Sequence, residues 1–279
     1  MTVALTRTAF RAGTALALLP GVIALVIAVF GPFLAPHSIS GPVGIPWAAP
    51  SWGAPLGTDF LGRDVLSRVL SGGRTIVVLP LLATAISVTV GAVIGIVAGS
   101  VHHWLDGLLM RLMDAILAVP AILILLVLVT GFGGGTVVLV VVVVLISGPF
   151  TARLARSVAI DVSRKAYVES AIGRGESMVA VLYREILPNV GGALLAEAGL
   201  VFSNSIFLVA LANFLGFGAQ PPTADWALMV AENNPGVAFN PWSVLVPVLL
   251  IVSLTISANL LADRLARRLA GDDPRIAVR

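Results

Sequence analysis

The residues whose types and spacing could do chemistry are few, and most of them lie in one segment. Ten charged residues fall between positions 153 and 185 of a chain that is only 11% charged. At roughly 2.5–3.5 kcal/mol per charge at the bilayer centre, burying all ten in lipid would cost about 25–35 kcal/mol. This charged segment is therefore expected to lie in water, while the remainder of the chain provides the apolar elements that hold it.

Residues typical of enzymes and metal sites are missing or isolated. Cysteine is absent, which excludes disulfides, thiolate metal sites and cysteine nucleophiles. His102 and His103 form a lone pair, and a metal site needs more ligands than two. Lys165, the single lysine, does not follow glycine as the lysine of a Walker A loop does. The sequence predicts no enzyme, no metal, no cofactor and no nucleotide binding in this chain.

The composition is that of a membrane protein. Hydrophobic residues make up 58% of the chain and the mean hydropathy is +1.03, whereas soluble domains are about 25% charged. A bilayer core needs about 20 apolar residues per helix, and six stretches of suitable length and composition are present. The sequence thus predicts an all-α fold, one domain over 1–279, with spans at 12–35, 75–101, 105–130, 136–153, 190–212 and 242–262.

The first apolar stretch has two interpretations. Arg7 and Arg11 precede it, as in a cleaved signal peptide, but its apolar run of about 24 residues exceeds the 7–15 of a signal peptide. A retained membrane span is the preferred interpretation.

The distribution of Lys and Arg predicts the orientation. With both termini inside, fourteen of the seventeen basic residues are cytoplasmic and three, Arg63, Arg68 and Arg74, are outside. The loops at 36–74 and 213–241 are then extracytoplasmic, and the loop at 160–188 and the tail at 263–279 are cytoplasmic. Two interpretations remain for Trp47, Trp52, Trp226 and Trp242: they anchor the chain at the membrane interface, or they form a surface that meets a delivery protein.

The cytoplasmic loop is predicted to be two short helices. Val168, Ala171 and Ile172 share one helical face, and Met178, Leu182 and Ile186 share another. Gly173 and Gly175 interrupt the pattern, Gly175 permitting a sharp turn, and Pro188 is expected to stop it.

Other polar and small residues allow structural as well as functional interpretations. Gly91, Gly95 and Gly99 form a small-xxx-small row, which favours close packing of helices in lipid. Glu197 lies within a span, where it is either part of a transport pathway or paired with an arginine of a neighbouring subunit. Leu70-Ser71-Gly72-Gly73-Arg74 mimics an ATPase signature, but on the predicted outer side. Asp59, Arg63, Asp64 and Arg68 form a cluster that either pins an interfacial helix, with Asp64 and Arg68 paired at i,i+4, or gates transport.

The charged loop resembles a known motif. Tyr167-Val168-Glu169-Ser170-Ala171, then Gly175, then Ile186-Leu187-Pro188-Asn189 is similar to the EAA loop of ABC importer permeases. The family pattern has alanine where this chain has Ser170, and isoleucine where it has Glu185. The resemblance implies that the loop is a coupling helix seated in a groove of an ATPase subunit. The residues that it assigns to ATPase coupling are Glu169, Ala171, Gly175, Leu182, Leu187 and Pro188.

Three further stretches resemble the dipeptide, oligopeptide and nickel branch of that family, and most closely its C-type peptide permease. They are Gly57-Thr58-Asp59 with Gly62-Arg63-Asp64 and Ser67-Arg68; Phe214-Leu215-Gly216 with Gln220-Pro221-Pro222-Thr223 and Trp226; and Asn259-Leu260-Leu261 with Asp263. Pro274-Arg275 resembles the branch's tail, with about three extra residues before it.

The resemblance implies a transport subunit in the bacterial plasma membrane. Its implied partners are a homologous B-type permease, two ATPase subunits that bind ATP and Mg²⁺, and an extracytoplasmic binding protein that delivers short peptides. Nickel chelates, glutathione and other small solutes remain possible substrates. The alternative class is an ion-coupled secondary transporter.

Overall fold

The computed structural model describes residues 18–100 and 103–269. These residues form helices and connecting loops, with no β-strand beyond isolated bridges, so the predicted all-α class is confirmed. The helices are α1 (Leu18–Leu34, ending in a 3₁₀ turn), α2 (Val65–Ser71), α3 (Gly73–Ser100), α4 (His103–Leu117), α5 (Ala121–Phe132), α6 (Thr136–Ser163), α7 (Ala166–Gly173), α8 (Met178–Val181), α9 (Leu187–Phe214), α10 (Trp226–Asn233) and α11 (Trp242–Leu269).

Four of these helices are longer than a bilayer is thick. Each of α3, α6, α9 and α11 has 28 residues, or about 42 Å at 1.5 Å per residue, against a hydrocarbon core of about 30 Å. The spans predicted at 75–101, 136–153, 190–212 and 242–262 are shorter or shifted because hydropathy detects only the part of a helix that suits lipid. The polar end of α6, for example, continues to Ser163.

The span predicted at 105–130 is instead two helices. α4 and α5 are bent by 83° at a break of a few residues. Pro120 lies in this break, and proline disfavours helical backbone in the residue before it, so α4 ends at Leu117. Counting this bent pair as one span gives up to five spans in the described residues. α1 covers 18–34 of the span predicted at 12–35, and its beginning lies outside the described residues, as does the tail beyond Leu269.

α4 is held to the polar end of α6 by charge. The carboxylate of Asp114 forms an ion pair with Arg153 at 2.5 Å, and Asp106 pairs with Arg156. These acids give α4 one charged face, whereas α5 carries no charged residue.

Contacts divide the chain into two compact units. The first unit contains α1, α2, the beginnings of α3 and α6, the end of α9, α10 and most of α11. The second contains the rest of α3 and of α6, the helices α4, α5, α7 and α8, the first part of α9 and the end of α11.

In the second unit, α3 packs closely on α6 through its glycine row. A Cβ on Gly95 would lie 2.2 Å from the carbonyl oxygen of Ala152, and one on Gly91 would lie 2.6 Å from that of Gly148. Gly99 faces the next turn of α6, at Arg156 and Ala159. Backbones this close leave no space for a side chain at these positions.

In the first unit, Trp226 is a buried anchor. The sequence by itself suggests a position at the membrane interface or on a partner-facing surface. The Trp226 side chain is fully buried, and its indole N–H donates to the carbonyl oxygen of Val69 at 2.7 Å. Trp52, by contrast, is fully exposed, and Trp47 stacks on Phe239 with a centroid distance of 6.2 Å.

Candidate functional site

The predicted cytoplasmic loop is joined rigidly to a long helix at each end. α6 ends at Ser163 and α7 begins at Ala166, so two residues separate them. On the other side, α8 continues without a break into α9, giving one helical segment from Met178 to Phe214. We refer to α7 and α8 as the loop helices. The loop helices are therefore connected to α6 and α9 with almost no intervening chain.

The turn between the loop helices depends on Gly175. Its φ is +80°, in the left-handed region that glycine enters at little cost. Its N–H donates to the carbonyl oxygen of Ile172 at 2.9 Å, and the N–H of Glu176 donates to that of Ala171 at 3.2 Å. This pair of bonds is a Schellman motif, which satisfies the last carbonyl groups of α7.

One face of the loop helices is buried in the second unit. Val168 and Ala171 of α7 and Val181 of α8 are fully buried. They belong to one apolar core with Ile186, which immediately precedes α9, and with residues of α3, α6 and α9: Ala92, Ile96, Ala155, Ala159, Val162, Val190 and Leu194. The loop helices are therefore a packed part of the unit and not an extended loop.

The opposite face exposes large apolar side chains. Val179 is 75% and Tyr183 72% exposed, and Tyr167, Ile172 and Met178 are also exposed. The sequence placed Ile172 on one helical face with Val168 and Ala171, and Met178 on one with Ile186, but Ile172 and Met178 are exposed where the others are buried. Ile172 is adjacent to the end of α7 and Met178 begins α8, so neither reaches the core that its neighbours fill. Exposed apolar side chains in such a cluster are typical of an interaction surface.

The six residues that the sequence assigns to ATPase coupling lie in different environments. Glu169 is exposed in the first turn of α7, where a carboxylate suits the helix dipole. Ala171 is buried and Leu182 packs partly against the core, so both stabilise the loop helices from within. Gly175 forms the turn described above. Leu187 and Pro188 are exposed in the first turn of α9.

Pro188 does not stop the helix, contrary to the sequence prediction. Residues Leu182–Ile186 form a π-helical stretch, in which the N–H of Leu187 donates to the carbonyl oxygen of Leu182. The extra residue in this turn accommodates a proline that lacks an N–H. The side-chain amide of Asn189 donates to the carbonyl oxygen of Glu185 at 2.6 Å, which satisfies a carbonyl group near the proline.

A second polar group, in the first unit, joins the predicted extracytoplasmic segments. Asp59, Arg63, Arg68 and Glu232 form what we call the ion-pair cluster. Asp59 accepts from Arg63 at 2.6 Å and from Arg68 at 2.5 Å. Glu232 accepts from Arg63 at 3.2 Å and from Arg68 at 2.9 Å. All four side chains are buried or nearly so.

The cluster differs from the exposed one expected from sequence. Asp64 does not pair with Arg68 but accepts from the N–H and hydroxyl of Ser67, as the N-cap of α2, and lies 3.2 Å from the His37 ring. Glu232 is about 170 positions from its partners along the chain, and no local signal identifies it. Burial raises the pKa of Glu232 to about 7, an effect that Arg63 opposes and Asp59 reinforces.

Asp225 is the other buried acid of this region. It caps α10 by accepting from the N–H groups of Ala227 and Leu228, at 2.9 and 3.1 Å, and it accepts from the side chain of Asn213 at 2.9 Å. Burial raises the pKa of Asp225 to about 6, although these three hydrogen bonds act to lower it.

Taken together, long apolar helices and a packed helical loop with an exposed apolar face define a class: a multi-pass membrane protein. Within the described residues no group of three or more His, Cys, Asp or Glu side chains is arranged to hold a metal ion. The family model for the inner membrane component of binding-protein-dependent transport systems matches residues 91–271, and the chain belongs to this family.

Characterised relatives match most of the chain. The di/tripeptide transport system permease protein DppC of Pseudomonas aeruginosa is 33% identical over 81% of this chain and 77% of its own length. The dipeptide transport system permease protein DppC of Alkalihalophilus pseudofirmus is 29% identical over 82% and 76%. The glutathione transport system permease protein GsiD of Pectobacterium atrosepticum is 31% identical over 70% and 65%.

A solved structure supports the fold. The inward-facing MetNI methionine ABC transporter aligns with a TM-score of 0.54, covering 68% of this chain and 93% of that one at 16% identity. The predicted family, the fold of a type I ABC importer permease and the location in the bacterial plasma membrane are thereby confirmed. The chain is an ABC importer permease, and the findings favour this class over an ion-coupled secondary transporter.

Proposed function

We propose that this chain is the C-type permease subunit of an importer of short peptides. It would pair with a homologous B-type permease and two ATPase subunits, and receive peptide from an extracytoplasmic binding protein. The substrate is inferred from the relatives named for dipeptides and for di- and tripeptides. The relative named for glutathione, itself a small peptide, is compatible with the same substrate class.

The observation that supports a role in coupling to the ATPase is the exposed apolar face of the loop helices. Val179 and Tyr183, with Tyr167, Ile172 and Met178, present apolar side chains to water, and an ATPase groove that covers them would remove this surface from water. Glu169 is exposed on α7, where its carboxylate can bind a polar or basic group of the partner. ATP and Mg²⁺ are bound by the ATPase, and the loop helices convert its closure into movement of α6 and α9.

The coupling role predicts that a charge on the exposed face releases the ATPase. Val179→Glu and Glu169→Lys are expected to reduce co-purification of the ATPase and its stimulation by liganded binding protein at least tenfold. Val179→Leu keeps an apolar side chain at the same exposed position, and should leave both measurements within twofold of wild type. Unchanged co-purification and stimulation in Val179→Glu and Glu169→Lys would refute the coupling role.

The substrate is tested by uptake. The reconstituted importer, supplied with its binding protein and ATP, is expected to accumulate labelled di- and tripeptides in proteoliposomes. Uptake of another solute in preference to all the peptides offered would exclude the proposed substrate class while leaving the coupling role intact.

A further inference from the structure

A cavity in the second unit contains the acidic side chain that lies within a long helix. It has a volume of about 440 Å³ and is lined by Ser147 and Phe150 of α6 and by Glu197, Leu200, Val201 and Asn204 of α9. The four residues of α9 are spaced at i, i+3, i+4 and i+7, so they form one continuous face of the helix. The volume is in the range of about 300–1,000 Å³ that is typical of small-molecule sites.

This cavity differs in chemistry from two other grooves of the molecule. A groove of about 510 Å³ in the second unit is lined only by apolar residues of α4, α5 and α6, such as Val127. A groove of about 320 Å³ in the first unit, which includes Phe207, is also lined only by apolar residues. Such surfaces suit lipid or a packed helix, whereas a face with a carboxylate, an amide and a hydroxyl does not.

The Glu197 carboxylate needs either water or a cation opposite it. A charged side chain in lipid is costly, so charges within spans face water-filled cavities or pair with other charges. Within the described residues, 18–100 and 103–269, no side chain or backbone group forms a hydrogen bond or an ion pair with this carboxylate. The cavity leaves Glu197 accessible to a cation from outside the described residues.

Asn204 is oriented for recognition at the other end of the same face. Its amide nitrogen donates to the hydroxyl of Ser147 at 3.0 Å, which fixes the side chain and leaves the amide oxygen to accept. Glu197 and Asn204 are seven residues apart, or about 10 Å along the helix axis at 1.5 Å per residue. An extended tripeptide spans about 10 Å.

We infer that this cavity is a substrate-contact site on the translocation path. Glu197 binds the ammonium group of a peptide's amino terminus, and the amide oxygen of Asn204 accepts from a peptide N–H. This inference rests on the proposed function for the identity of the substrate. Its alternative is that Glu197 pairs with an arginine of the neighbouring permease subunit, in which case removal of the carboxylate weakens assembly.

Peptide uptake by the complete importer in proteoliposomes tests the contact, at saturating peptide-loaded binding protein. Glu197→Gln is expected to lower the maximum rate at least tenfold with subunit association unchanged, and Glu197→Asp to recover part of it. Val127→Leu, in the apolar groove of α4 to α6, should remain within twofold of wild type. A rate within twofold in Glu197→Gln, or loss of the partner subunit on purification, would overturn the inference.

A second measurement does not depend on which substrate is carried. The chain has no cysteine, so a single introduced cysteine reports its own position. In the assembled importer, Glu197→Cys and Asn204→Cys are expected to react with a cationic, water-soluble thiol reagent at least tenfold faster than Val127→Cys. Equal rates would show that the cavity is not part of an aqueous path. A further outcome is that the wild-type importer carries no peptide while the cavity cysteines still react tenfold faster than Val127→Cys. That result would refute the proposed peptide substrate and would still support the cavity as part of an aqueous translocation path.

Discussion

Several residues that, from the sequence, could belong to a catalytic or binding site have structural roles in this chain. Gly73 of the Leu-Ser-Gly-Gly-Arg run packs against Trp226 so closely that a Cβ would lie 2.5 Å from the indole ring. Asp59 and Glu232 are each paired with both buried arginines, Arg63 and Arg68. A buried charge is tolerated only when its partners are also buried with it. At the scale of residues, these groups therefore hold the predicted extracytoplasmic segments together.

The buried carboxyl of Asp225 predicts a pH dependence of stability. Its pKa is raised by burial from 3.8 to about 6, so folding takes up a proton between about pH 4 and 6. This contribution is present at low pH and is lost as the pH rises through about 6. The change corresponds to roughly 3 kcal/mol at about 1.4 kcal/mol per pKa unit.

Asp225→Asn tests this dependence because asparagine keeps an acceptor for the cap of α10. The variant's unfolding temperature in detergent, minus that of wild type, is expected to be greatest above pH 6 and to fall towards pH 4. Asp161→Asn, at an exposed position of α6, controls for the loss of one charge. A difference that does not vary between pH 4 and 7 would contradict the assignment.

At the scale of elements, the loop helices combine a buried face with an exposed one. Their core residues join those of α3, α6 and α9, so the loop helices are packed against the helices they connect. The π-helical stretch at Leu182–Ile186 carries the chain past Pro188 without a break. Two features that look like helix breakers in sequence, a glycine and a proline, thus form a tight turn and a continuous helix respectively.

Gly175→Ala is expected to weaken this element. An alanine at φ +80° costs about 1–2 kcal/mol, although a Cβ there has open space around it. Gly173→Ala is the matched control, because Gly173 ends α7 outside the left-handed region and also has open space. Gly175→Ala should lower the unfolding temperature and the ATPase stimulation, and Gly173→Ala should lower neither. Equal effects of the two substitutions would exclude backbone strain as the cause.

At the scale of the whole molecule, charge predicts which segments face the cytoplasm. Fourteen of seventeen basic residues lie in the termini and in the loops assigned to the inside, as the positive-inside rule requires. The same assignment places the loop helices with the ATPase and the segments 36–74 and 213–241 with the binding protein. The two functions of the importer then meet this chain from opposite sides of the membrane.

This orientation is tested with single cysteines in intact cells. Trp52→Cys should react with a membrane-impermeant thiol reagent added outside, because Trp52 is fully exposed in a predicted extracytoplasmic segment. Asp161→Cys, exposed on the polar end of α6, should react only after the membrane is permeabilised. The reverse pattern of labelling would show that the chain has the orientation opposite to the predicted one.

The sequence by itself determined the class of this protein. Long apolar stretches and their basic flanks are local properties, and so is the motif from Glu169 to Pro188, so each is readable without knowledge of contacts. Gly91, Gly95 and Gly99 also indicated close packing from their spacing alone. The tertiary structure decided what depends on distant partners: the pairing of Glu232 with Arg63 and Arg68, the burial of Trp226, and the exposure of Ile172 and Met178. It also decided that Glu197 and Asn204 share a cavity with Ser147, because α6 and α9 are brought together by packing and not by their order along the chain.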